Sequence, residues 1–382
     1  MSAADILAYF RSLIPESISR LRELVEMESH SADKAAVDAI AAHLAALFEN
    51  EGCRAEILSC PSRGNTLRAS WRAGSKVVAR PVLFLGHLDT VWPAGTISAR
   101  PFRIENSRAF GPGVYDMKAG LLLSLLVSRA LKEGKSSPGR DVFFLFTGDE
   151  EIGTAEGLPH LTQTARECAA VLCLEPPLAG GKAKTFRKGV GCFTIRVAGL
   201  SAHAGVEPEK GANAILEISR QVLRLHDLND KGRGTTVTTG VIKGGTASNV
   251  VPAEAEAQVD VRVSSLEAGA AIEATIRGMQ AFDPRCRLTV EGGLNRPPLE
   301  RTPGVVELYH KARNAALELG MDLGEGSTGG GSDGSFTAAM GIPTLDGLGV
   351  EGGGAHAPDE YIEVGDIQRR AALLCRLLET IG

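Results

Sequence analysis

No part of the chain approaches the ~20 consecutive apolar residues that a membrane-spanning helix needs. Asp5, Arg11 and Glu16 break up the apolar residues of the N-terminus, so the apolar centre of a signal peptide is missing as well. The seven cysteines are an odd number and include no CxxC pair, which argues against a full disulfide framework and a thiolate zinc site. They are expected to be buried thiols in a reducing compartment. Forty-one basic residues against 46 acidic ones give a net charge of −5. That balance excludes a polyanion-binding surface over the whole molecule, so nucleic acid is not an expected partner. Neither G-x-x-x-x-G-K-[ST] nor H-E-x-x-H occurs, and Gly111-x-Gly113-x-x-Asp116 lacks the third glycine of a dinucleotide fingerprint. There is no internal repeat. The expectation is a soluble, cytoplasmic protein without membrane contact.

The length of 382 residues suggests two domains at ~150 residues each. Apolar residues at 43% and charged residues at 23% are ordinary for a globular chain. Glycine is not: 45 residues exceed the usual ~7%, and eleven of them lie between Gly326 and Gly354.

Helical spacing over residues 4–28 and 32–50 predicts two N-terminal helices. The unbroken apolar runs at Val82–Leu85, Val142–Phe146 and Val171–Leu174 suit strands covered on both faces of a mostly parallel sheet. An apolar helix over Ala119–Leu131 lies between the first two, so the class is α/β. From Lys188 onward the pattern changes to alternating strands at Phe193–Val197, Thr235–Ile242 and Ala255–Val263, with helices over Ala212–Leu225 and Leu266–Met279. This reads as an inserted α+β, ferredoxin-like domain over 188–297, between catalytic parts 1–187 and 298–382. Helical patterns return at Val305–Leu319, Phe336–Met340 and Ile367–Leu378, with a strand near Thr344.

Polar clusters follow the strand runs: His87 and Asp89, then Asp149-Glu150-Glu151, then Glu175. Asp116 follows the Gly111-Pro112-Gly113 turn, and His356 sits in the glycine-rich segment. Open α/β sheets place ligands at the carboxyl ends of their strands, so these groups should converge. Gathered carboxylates repel one another unless their pKa values rise or cations lie between them. Two histidines with three or four carboxylates suit Zn, Co or Mn. Asp89, two residues after His87, could orient its imidazole through the carboxylate, and adjacent strand-end residues should send Glu150 and Glu151 to opposite sides. A rival reading is a serine hydrolase. Gly330-Gly331-Ser332-Asp333-Gly334 fits G-x-S-x-G, and Asp346 and His356 follow in chain order. Residues 322–331, however, lack the apolar strand that should precede such a nucleophile.

The segments Gly86-His87-Leu88-Asp89-Thr90-Val91, Gly111-Pro112-Gly113-Val114-Tyr115-Asp116-Met117-Lys118-Ala119-Gly120, Thr147-Gly148-Asp149-Glu150-Glu151-Ile152-Gly153 and Glu175-Pro176 resemble the di-zinc peptidase family of glutamate carboxypeptidase, acetylornithine deacetylase and succinyl-diaminopimelate desuccinylase. Ser201-Ala202-His203-Ala204-Gly205 and Ala247-Ser248-Asn249-Val250-Val251-Pro252 look like that family's lid and dimerisation domain. The resemblance implies two divalent ions per subunit, zinc first and Co or Mn next. Asp116 would bridge them, with His87 and Glu175 on one and Glu151 and His356 on the other. It also implies a cis peptide after Asp116, Glu150 as general base toward a metal-bridging water, and His203 supplied across a homodimer formed through the inserted domain. Arg296 looks like the arginine that holds a glutamate side chain. Lys184 is a looser match, and Asn249 and Arg262 correspond to general substrate contacts, with a surface or domain-junction salt bridge as the alternative for the charged ones. Gly331 and Ser332 fall in the implied substrate loop Gly330–Ser335. The expected activity is release of a C-terminal amino acid, glutamate above all, from an N-acyl or short peptide substrate with a free carboxylate. Deacylation of an N-acyl amino acid such as acetylornithine and a catalytically inactive binding protein are the alternatives.

Overall fold

A computed structural model describes residues 1–74 and 79–381. The expected second catalytic part, 298–382, therefore ends on a residue outside the described ones. Two compact units divide the chain: Met1–Phe186, Arg301–Ser327 and Ser332–Gly382 form the first, and Arg187–Glu300 with Thr328–Gly331 the second.

The first unit is built on a six-stranded sheet in the order Arg54–Leu58, Gly64–Trp71, Val142–Gly148, Val82–His87, Ala170–Cys173, Thr344–Leu345. The last four run parallel, and an antiparallel hairpin closes the other side. Every residue of the strands at 82, 142 and 170 is buried, as unbroken apolar runs require. Phe84, Phe144 and Phe146 pack toward the helices Lys34–Asn50, Ala119–Lys132 and Val364–Thr380. Phe48 stands against Phe144 with ring centroids 5.0 Å apart. Leu83, Leu85, Phe143 and Leu145 point the other way, toward Leu161 and Ala165 of the helix Leu158–Glu167.

The N-terminus departs from expectation, with three helices at Ala3–Ser12, Ile14–Glu26 and Lys34–Asn50 instead of two. Pro15 has no N–H for a continuing helical ladder, so it falls in the first turn of a new helix.

The second unit runs strand Gly189–Ala198, helix Ala214–His226, strands Thr236–Gly244 and Glu254–Val263, helix Leu266–Arg277, strand Arg287–Arg296. The sheet order is Thr236–Gly244, Glu254–Val263, Gly189–Ala198, Arg287–Arg296, all antiparallel, which is the ferredoxin-like arrangement. Phe193, Ile195 and Val197 alternate onto the helix-covered face with Val259, Val261, Ile218 and Ile276. The opposite face is polar, with Arg196 bonded to Glu256 and Glu291 on the flanking strands. This alternation exposes Cys192, whereas the other six cysteines are buried, so the expectation of buried thiols fails at that position. The long inserted stretch of this unit begins and ends side by side: Arg187 and Leu299 exchange both backbone N–H···O bonds, each 3.0 Å.

Thr328–Gly331, placed with the catalytic part by the sequence pattern, packs in the second unit. Arg187 Nη1 donates to the carbonyls of Gly330 and Gly331 at 3.2 and 2.9 Å, and Arg262 Nη1 to that of Gly329 at 3.1 Å. A Cβ on Gly331 would stand 2.6 Å from Arg296 Cδ, so any side chain there would displace the buried arginine. Among the described residues no helix is long and apolar enough to cross a membrane.

Candidate metal centre

The strand Val82–His87 ends in a histidine that is almost fully buried. Asp116 follows the left-handed Gly113 (φ 71°) at a tight turn, and its peptide bond to Met117 is cis. The strand Val142–Gly148 delivers Glu150 and Glu151, and Ala170–Cys173 delivers Glu175. His87 Nε2 lies 3.2 Å from Asp116 Oδ1 and 3.6 Å from Glu175 Oε1. His356 Nε2 lies 3.4 Å from Asp116 Oδ2 and 3.0 Å from Glu151 Oε1. The five side chains thus form two nests that share one carboxylate. Ligand atoms of His87, Asp116 and Glu151 all fall within 4.8 Å of one another, a spacing able to hold a metal ion.

The charges respond to this crowding. Burial works to raise the pKa of Asp116, yet its bonds to His356 and His87 hold it below the usual carboxylate range. Burial works to lower that of His87, but Asp116 and Asp89 push it well above the ordinary imidazole value. His356, bonded to Asp116 and then Glu151, rises to about 10. In the metal-free chain, protons on the imidazoles supply the positive charge that the carboxylates demand. Nearby, the buried Lys118 donates from Nζ to the Met27 carbonyl at 2.7 Å, and burial lowers its pKa to about 7.

A second layer holds the loops. His87 Nδ1 meets the backbone carbonyl of Asp89 at 2.9 Å, with the Asp89 carboxylate farther off at 3.5 Å. The carboxylate thus stands beside the imidazole, with the backbone carbonyl as the nearer partner. Its oxygens also accept the N–H groups of Glu150 (3.0 Å) and Glu151 (3.1 Å) and the Ser31 hydroxyl (2.6 Å). Glu150–Ile152 form a 3₁₀ turn, so strand alternation, the expected reason for their divergence, does not apply. Glu360, which the sequence reading missed, accepts N–H groups from Trp92, Gly113, Tyr115 and Asp116. Nothing in sequence separates it from a solvated acid beside Asp359.

The glycine-rich segment passes close to Glu175. Gly349 N–H donates to the Glu175 carbonyl at 3.0 Å, and a Cβ at Gly349 would lie 2.6 Å from the Leu174 carbonyl oxygen. His356 itself sits at φ 61°, a left-handed conformation uncommon for a residue other than glycine.

The expected substrate residues divide between the units. Lys184 is buried in the first unit, its backbone exchanging hydrogen bonds with that of Asp346. His203, Asn249, Arg262, Arg296 and Gly331 belong to the second. There His203 is exposed on a two-residue strand paired with Val250–Val251, and the Asn249 carbonyl accepts the Ala204 N–H at 2.9 Å. Arg262 pairs with Asp260 at 2.8 Å, the salt-bridge alternative, while Arg296 is buried against Gly331. Arg187, buried under the Gly330–Gly331 carbonyls, was not foreseen.

Residues 83–380 match the model of peptidase family M20/M25/M40. The chain belongs to that family. It is 31% identical over 376 residues to carboxypeptidase G2 of Pseudomonas sp. (strain RS-16), covering 96% of this chain and 90% of that protein. It is 29% identical over 365 residues to succinyl-diaminopimelate desuccinylase of Methylobacterium sp. (strain 4-46), covering 88% and 90%. The crystal structure of aminopeptidase PepT from Bacillus cereus ATCC 10987 superposes with a TM-score of 0.80 at 25% identity, over 96% of this chain and 98% of that one.

The chain is thus a metallopeptidase-type hydrolase of amide bonds. The serine-hydrolase reading fails on geometry as well. Ser332 is fully buried and donates directly to Asp346 Oδ2 at 2.6 Å, while His356 bonds to Glu151 and Asp116 instead of to Ser332. The same burial withdraws the Ser332 hydroxyl from the expected substrate contacts. Asp333 is also buried, bonded by the hydroxyls of Thr147 and Thr154, so Ser332–Ser335 is interior structure.

The raised pKa of His356 sets a pH dependence for this peptidase. A group whose folded pKa exceeds its unfolded one stabilises the fold below the unfolded value and loses that contribution as pH climbs through the folded value. In chelator-treated protein the thermal midpoint should fall between pH ~6.5 and about 10. The fall should be shallower in His356→Ala. An identical slope in the variant would exclude His356 as its source.

Proposed function

We propose that this peptidase holds two divalent ions, zinc above all, and releases a C-terminal acidic residue, glutamate first, from an N-acyl or short peptide substrate. One observation carries this reading: Asp116 turns one oxygen to His87 and the other to His356, so a single carboxylate serves two nests. The donors are imidazole nitrogens and carboxylate oxygens, which suit Zn, Co or Mn. His87, Asp116 and Glu175 would hold one ion, and His356, Asp116 and Glu151 the other. Bound there, the ions supply Lewis acidity and a water acidic enough to attack an amide at neutral pH.

The protein's own groups do the rest. Glu150, nearly buried beside the two nests, takes the proton of the attacking water and passes it to the departing amine. Asp89 fixes the backbone of both Glu150 and Glu151, so base and ligand keep their separation. Arg296 binds the side-chain carboxylate of the leaving glutamate, with Arg262, Asn249, Lys184 and the Gly331 backbone as further contacts. His203 stabilises the oxyanion from a partner subunit. Support for a homodimer comes from the second unit, whose edge strand Thr236–Gly244 exposes Val241 and Ile242 beside a helix exposing Leu216 and Leu223. The similarity to desuccinylases favours N-acyl amino acid deacylation as the second reading.

A panel of N-acyl amino acids and dipeptides, assayed before chelation, after it and after re-addition of zinc, tests the reading. Activity should vanish and return with the metal, and N-acyl glutamates should lead the panel. A preference for acetylornithine or succinyl-diaminopimelate would support the second reading. Glu150→Gln should lose about 10²–10⁴-fold in kcat with metal content unchanged; loss of metal would show that Glu150 is a ligand. Arg296→Ala should flatten the ratio of glutamyl to alanyl turnover, and an unchanged ratio removes Arg296 from the pocket. Sedimentation velocity should show a dimer that Leu223→Glu converts to monomer; a wild-type monomer sinks the shared-site proposal for His203.

A further inference from the structure

The π-helical turn from Val114 to Lys118 departs from helical dihedral angles at Asp116 (φ −115°, ψ 93°) and Met117 (φ −134°, ψ 42°). Buried backbone N–H groups need acceptors, and here one carboxylate receives three of them. Glu360 Oε1 accepts the N–H of Tyr115 and of Asp116, each at 2.9 Å, and Oε2 accepts that of Gly113 at 2.8 Å. Oε2 also takes the indole N–H of Trp92 at 2.8 Å. Glu360 is only 2% exposed, so these bonds are shielded from water.

The sequence positions of these partners give the arrangement its meaning. Trp92 lies three residues after Asp89, on the loop that leaves His87. Asp116 is the carboxylate shared between the two nests. Glu360 lies four residues after His356. One buried side chain therefore ties together the loops that present His87, Asp116 and His356, and it grips Asp116 by its own backbone nitrogen.

We infer that Glu360 is a positioning residue for the metal centre: its carboxylate sets the spacing of three ligand-bearing loops, so that the ligand set is formed before an ion arrives. The inference rests on the two-metal reading. Glu360 bonds to the Asp116 backbone and to no ligand side chain, so it acts through the loops. Preorganisation of this kind shows in metal affinity and ligand geometry, because groups that orient ligands typically contribute 10–100-fold to affinity.

Glu360→Gln keeps one acceptor oxygen but sets an NH₂ group against N–H donors. The test loads apo-protein with zinc against a chromophoric chelator and records the visible spectrum of the cobalt form. Circular dichroism and thermal midpoints are followed alongside. Glu217→Gln serves as the structural control: Glu217 is a buried carboxylate of the second unit that accepts the N–H groups of Phe282 and Asp283 at 3.0 Å, away from the nests in sequence and unit. The expected result is that Glu360→Gln binds zinc about 10–100-fold more weakly with an altered cobalt spectrum, while Glu217→Gln binds as wild type does. A folded Glu360→Gln with wild-type affinity and spectrum overturns the inference, as does an equal loss in Glu217→Gln. If Glu360→Gln does not fold, Trp92→Phe, which removes a single donor, decides: weaker zinc binding sustains the inference and unchanged binding overturns it. Wild-type protein that takes up no metal would instead refute the two-metal reading.

Discussion

Asp116, Glu151 and Glu175 crowd around two imidazoles, with Glu150 close behind, and like charges at such range resist assembly. Two unit charges 4 Å apart interact by about 4 kcal/mol at an effective dielectric constant of 20, a sizeable fraction of the net stability of a whole domain. The site exists because the rest of the first unit opposes that repulsion. Parallel strands bring their carboxyl ends to one edge, a buried hydrophobic sheet fixes them there, and the imidazoles carry positive charge until cations replace it. A fold that presents such a cluster already holds donors for a divalent ion close together.

Asp89 and Glu360 are two further carboxylates in the same region, yet neither is a metal-facing group by its bonding. Each is saturated mainly by N–H groups, Asp89 by the turn at Glu150 and Glu151, Glu360 by the turn at Asp116. Both therefore shape the site through the backbone that they hold, although burial still pushes the Glu360 carboxyl above its ordinary value.

The sheet was legible in the sequence because a strand buried on both faces leaves an unbroken apolar run, as at Val82–Leu85 and Val142–Phe146. The polar residues that follow those runs were legible for the same reason, since the end of a run marks the edge of the sheet. The α+β insertion showed itself through alternation, a period-two signal that survives when one face meets water. What escaped were features decided by backbone hydrogen bonding in loops. The 3₁₀ turn at Glu150 and the burial of Ser332 depend on partners distant in the chain, and the carbonyl contact of His87 on the path of the loop two residues beyond it. Glu360 looks in sequence like any surface acid, and only the turn it caps reveals it. The break at Pro15 is different in kind: apolar residues keep helical spacing on both sides of it, so periodicity does not mark the boundary that the missing N–H imposes. The glycine excess also proved heterogeneous. Gly331 makes room for Arg296 in one unit and Gly349 for the Glu175 backbone in the other, so one compositional anomaly has two separate steric causes.

The mutual backbone pairing of Arg187 and Leu299 has a wider consequence. Because the stretch Arg187–Leu299 begins and ends at adjacent points, the host chain needs to span almost no distance across that interruption, and the loop-closure entropy of the junction is small. An insertion with such a stem can be varied in evolution while the host sheet keeps its register, provided that its arginines keep their bonds to Gly329–Gly331. Diversification of one module against a constant chemical frame requires that kind of attachment.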